Sequence, residues 1–129
     1  MGINYSIDTE ERIVRLVYVR ESEVDELTAT MRAIFRSPSY RQGFGFLIDK
    51  SAVAAPSHDF VDRILAFLIL QREKVHGCRF ALVTPAPDAY GKARLAQTDS
   101  PSSPVRVAAF QRTHDAERWL WRTAPTEDG

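Results

Sequence analysis

Apolar and polar positions alternate at the start of the chain. Ile3, Tyr5 and Ile7 interleave with Asn4, Ser6 and Asp8, the period-two pattern of a half-buried strand. The stretch "DTEER" then turns the chain into a second strand over residues 13–19, and so short a turn predicts an antiparallel hairpin. The period changes in "ESEVDELTATMRAIF", where Val24, Leu27, Met31, Ile34 and Phe35 make one helical stripe. Ser22 with Asp25 has the spacing of a capping box, and Pro38 disfavours helix at Ser37, so the helix should end near Arg36.

Residues 44–49 read as the third strand. Pro56-Ser57 opens a long second helix over about 58–75, closed by Gly77, with an interior "ILAFLIL" apolar nearly all round. Residues 78–83 form a fourth strand, a short helix follows from Asp88, "TDSPSSP" is a breaker-rich loop, and residues 105–110 form a fifth strand. Thr113 caps a last helix carrying Trp119 and Leu120.

Strands two to five alternate with helices, so they should run parallel through right-handed crossovers. Each strand has one strongly apolar face. The other is mixed, with Arg15, Arg79 and Arg106 among Val17, Leu47, Ala81 and Val83. The pattern predicts an α/β fold. It is a single mixed five-stranded sheet, first strand antiparallel and strands 2–5 parallel, in order 1-2-3-4-5, with four helices mainly on one face. The mixed face would be partly wet or would meet a second subunit, and its arginines read as a solvated face or as a binding site. A single domain is expected over residues 1–124, with a polar tail over 125–129.

At 129 residues and 44% hydrophobic, the chain can bury roughly two-thirds of its unfolded surface without a metal or disulfide. Cys78 is the lone cysteine, which excludes an internal disulfide and a cysteine-based metal site and suits a reducing, cytoplasmic setting. The 17 basic and 17 acidic residues cancel, which argues against a nucleic-acid footprint. No apolar run is long enough for membrane insertion, the longest covering residues 64–70.

The patterns "INYSID", "IVRLVYV", "FGFLID", "CRFALVTP", "YGKARLAQ" and "VAAFQRTHDAERWLW", in ββαβαβαβα order, span nearly the whole chain. Together they resemble the SpoIIAA-like branch of the STAS fold, which is also likened to CRAL-TRIO lipid-binding domains. The resemblance implies a non-enzymatic regulatory or protein-interaction module with no cofactor. STAS domains serve as partner-switching regulators and as cytoplasmic domains of anion transporters. In the anti-sigma factor antagonists a D-S-S-G motif caps the helix after the third strand, and its second serine is phosphorylated. Here "APSHDF" holds that place. An ungapped count from Asp49 puts Asp59 at the phosphoserine, and a two-residue shift puts Ser57 there; neither restores D-S-S-G.

The candidate residues carry paired readings. Ser57, His58 and Asp59 form a helix cap with favourable dipole electrostatics, or a regulatory site at the helix start. Asp49, Lys50, Thr84, Tyr90, Lys92 and Arg94 lie at or after strand carboxyl ends. There, open α/β sheets bind ligands, although for the last three a short exposed helix with Leu95 packed inward is the favoured reading. A Ser57–His114–Asp49 triad lacks a nucleophile elbow, which makes a hydrolase the remote alternative. "FLIL" with Trp119 and Trp121 packs a core or lines a pocket for a small apolar or amphipathic, lipid-like ligand. The glycines of "GFG" read as close packing against the sheet. The expected partners are a regulatory protein and a second copy of the chain.

Overall fold

The computed structural model describes residues 2–22, 24–53, 58–85, 90–91 and 106–123. Five strands, β1 (Ile3–Asp8), β2 (Ile13–Tyr18), β3 (Gly45–Asp49), β4 (Arg79–Val83) and β5 (Arg106–Phe110), form one sheet in the order β1-β2-β3-β4-β5. β1 pairs antiparallel with β2, and every later neighbour is parallel, as the alternation of strands and helices requires. The helices are α1 (Val24–Arg36), α2 (His58–Leu70), α3 (Arg72–Val75) and α4 (Thr113–Thr123). The helix expected from Asp88 falls largely outside the described residues, of which only Tyr90 and Gly91 are helical there.

The strongly apolar strand face gathers Val14, Leu16, Tyr18, Phe46, Ile48, Phe80 and Leu82 into the main core, beneath Leu27, Met31 and Ile34 of α1 and Ile64, Phe67 and Leu68 of α2. Phe46 and Phe80, adjacent in register, stack with centroids 4.7 Å apart. The mixed face is not left bare. Its central apolar residues Ile13, Leu47, Ala81 and Val83 are covered by Ala116 and Leu120 of α4, while Trp119 packs on Phe110 and Trp121 stays exposed. Helices therefore lie mainly on one face, with α4 on the other. Gly45 makes the close approach possible, since a Cβ there would meet Leu120 Cδ2 at 2.9 Å. Arg15 ties this face together, donating to Glu117 at 2.7 Å and to Glu11 at 3.3 Å.

Two expectations need correction. The helix over 58–75 breaks at Gln71, whose N–H is shared between the carbonyls of Phe67 and Leu68 and whose own carbonyl starts α3. The break turns Val75 into the core, and although the segment's sequence is apolar nearly all round, it leaves Ile69 and Leu70 46% and 77% exposed. Gly77, at φ 80°, then ends the segment as expected. Nor does Ser22 form a capping box: its buried hydroxyl makes no hydrogen bond. Glu26 instead reaches back, its Oε2 accepting from the N–H groups of Gly2 (2.7 Å) and Ile3 (3.1 Å), which ties the start of α1 to β1.

Candidate functional site at the strand carboxyl ends

The parallel ladders run one residue past the strands. Lys50 N–H donates to Val83 O at 3.0 Å, and Thr84 N–H donates to Phe110 O at 2.9 Å. This extension seats Lys50 and Thr84 at the carboxyl rim of the sheet, each only 2% exposed, and they are the buried polar residues of the described chain. Asp49 turns the chain out of β3, its Oδ1 accepting from Ser51 N–H at 2.8 Å and from Ser51 Oγ–H at 2.5 Å.

A buried ammonium is costly without compensation. Lys50 Nζ lies 3.6 Å from Glu21 Oε1 and 4.6 Å from the centre of the Tyr18 ring. Burial lowers the Lys50 pKa, and Glu21 works against that shift. Tyr18 is fully buried and its hydroxyl has no hydrogen-bond partner. Burial raises its pKa, with the carboxylates of Glu21 and Glu26 adding to the rise; the nearby Ser22 hydroxyl, outside hydrogen-bond geometry, pulls the other way.

The helices bring their starts to the same rim. Arg63 of α2 pairs with Asp25 in the first turn of α1 at 3.0 Å, and Arg32 lies over Phe67 at 5.2 Å. His58 and Asp59 occupy the first turn of α2. Ser57, Lys92 and Arg94 lie outside the described residues, and Tyr90 packs against the edge of the main core. The structure thus brings together Asp49, Lys50 and Thr84 of the expected set. It adds Tyr18 and Glu21, which sequence reasoning missed. Their signal was parity and position: Tyr18 shares the inner strand face with Leu16, and Glu21 follows just past the strand end.

A concavity of about 580 Å³ opens at the opposite end of the sheet, between the β1–β2 turn and the loop before β3. Among the described residues Thr9, Arg12, Pro38, Ser39, Arg41, Gln42, Gly43 and Phe44 line it, a largely polar wall that carries two cations, unlike a lipid pocket. Arg12 sits there at φ 60°, a left-handed conformation that costs a residue with a Cβ about 1–2 kcal/mol. Arg12→Gly is therefore expected to raise stability by about 0.5–1 kcal/mol in urea unfolding, the relief being partly offset by glycine's extra chain entropy. A loss of stability would show that the Arg12 side chain holds the turn.

Among the described residues, no group of three or more His, Cys, Asp or Glu side chains is placed to hold a metal ion, and no helix is long and apolar enough to cross a membrane. No family model matches the chain, and no curated protein does. Among solved structures, it is similar to an uncharacterised protein of the DUF3478 family with a SpoIIAA-like fold from Shewanella loihica PV-4. The TM-score is 0.59 at 16% identity, covering 92% of this chain and 94% of that one. The likeness establishes a SpoIIAA-like fold.

Proposed function

We propose that this SpoIIAA-like chain is a non-enzymatic regulatory module that binds a protein partner across the carboxyl rim of its sheet. The contact surface comprises Glu21, Asp49 and the first turn of α2, with Asp59 supplying a permanent charge where the anti-sigma factor antagonists carry a phosphoserine. The observation that carries the reading is Lys50, a cation held inside the rim beneath the 55% exposed Glu21. A buried charge paired, among the described residues, with an exposed carboxylate is a poor stabiliser and a good switch, because a partner that engages Glu21 changes the environment of Lys50. Enclosure between Tyr18 and Glu21 suits such a latch better than a nucleophile, which needs access to substrate.

Asp59→Lys tests the proposal. With the far-ultraviolet dichroism unchanged, affinity capture from the native cell is expected to lose at least one protein that the unaltered chain retains. If every captured protein survives the charge reversal, the rim is not the contact surface.

A further inference from the structure

The outer edge of the sheet is built for pairing. β1 is the terminal strand, and it pairs with β2 over six consecutive residues without a bulge. Val19 N–H donates to Gly2 O at 2.8 Å, which fixes the phase of the ladder. Even-numbered residues of β1 bond to β2, and the N–H and C=O groups of Ile3, Tyr5 and Ile7 point to the open edge. Edge strands are ordinarily blunted by lysine, proline or a bulge; "INYSID" has none of these, and Tyr5 is 45% exposed.

We propose that two copies of this chain pair through β1, antiparallel, with Ser6 of each copy on the two-fold axis. The register follows from the bonds already made. Continuing the sheet on the same face requires an outward-facing residue to oppose another outward-facing residue. Pairing Tyr5 with itself would claim Ile3 N–H, which Glu26 already holds. Pairing Ile7 with itself would run Tyr5 past the end of the strand at Asp8. The remaining register sets Tyr5 opposite the partner's Ile7, and its symmetry mate does the same. Tyr5 and the half-buried Ile7 then form an aromatic–aliphatic cross-strand pair, and Asn4 can donate its amide to the carboxylate of the partner's Asp8. The edge is self-complementary in polarity as well as in hydrogen bonding.

Ser6→Cys reads the register directly. Opposed residues of a non-hydrogen-bonded antiparallel pair have Cα atoms about 4.5 Å apart, within reach of a disulfide. Cys78 is buried and leaves the background low. Under mild oxidation Ser6→Cys is expected to give about 100-fold more covalent dimer than the exposed control Ser39→Cys, which joins only by collision. Ser6→Lys, at an exposed position, is expected to convert a light-scattering dimer to monomer with unchanged dichroism. Equal cross-linking of the two cysteine variants, preferential cross-linking of Tyr5→Cys, or a monomeric unaltered chain at high micromolar concentration would each overturn the proposal. A monomer that instead captures an extended peptide would assign this edge to another protein.

Discussion

Phe46→Ala is expected to lower the unfolding free energy by about 3–5 kcal/mol, the largest loss from any single truncation considered. Phe46 is fully buried in the central strand. It stacks on Phe80 at an interplanar angle of 17°, meets Phe35 edge-on at 6.3 Å and lies 5.8 Å from Tyr40. The substitution therefore removes dispersion contacts on several sides and opens a cavity between sheet and helices, which close packing cannot readily refill. Domains of this size are stable by only about 5–15 kcal/mol, so the urea midpoint should fall sharply. Leu70→Ala is the control, because a side chain 77% exposed should change stability by less than about 0.5 kcal/mol. Similar midpoints for the two variants would place the core elsewhere.

Lys50→Met is expected to stabilise the fold by about 1–2 kcal/mol at neutral pH while weakening partner binding. The ammonium loses hydration on burial, and its pair with the half-exposed Glu21 is solvent-screened and restores only part of it. A methionine fills the same channel over Tyr18 without that cost, and Glu21 can return to water. The pH dependence has a definite sign. The folded-state pKa of Lys50 lies below 10.5, so between it and 10.5 the unfolded chain holds a proton that the folded chain has released. Stability contributed by this site therefore rises with pH across that window. Lys50→Met should abolish the rise. The buried phenols of Tyr18 and Tyr40 act oppositely above pH 10, where the unfolded chain ionises first, so the comparison is read below that pH. An unchanged slope would show that Lys50 does not carry this pH dependence, and a loss of several kcal/mol would show it to be structural.

The sheet was legible in the sequence because its information is local. Period-two runs such as Val14, Leu16, Tyr18 and Phe46, Ile48 mark strand faces, and the short hairpin turn against the long crossovers settles parallel from antiparallel. The break at Gln71 was not legible. No glycine or proline marks it, and the requirement that Val75 reach the core comes from packing, which propensity does not encode. The capping spacing of Ser22 and Asp25 misled for a related reason: the Asp25 carboxylate pairs with Arg63 of α2, far along the chain, instead of reaching back to Ser22. The candidate site divides the same way. Asp49, Lys50 and Thr84 could be found because strand ends can be counted. The Lys50 contacts with Tyr18 and Glu21 bridge about thirty residues and arise only when β2 and β3 lie side by side.

On the proposed function, the carboxyl rim is the surface a protein partner reads. The most direct test is calorimetric titration of a partner recovered by capture against the unaltered chain and against Asp59→Lys. The expected result is a Kd at least about tenfold weaker for Asp59→Lys, a loss of about 1.4 kcal/mol, in a chain that stays folded and loses no more than about 1 kcal/mol of stability to the reversed charge at the helix start. An unchanged Kd for a folded Asp59→Lys chain would contradict the claim.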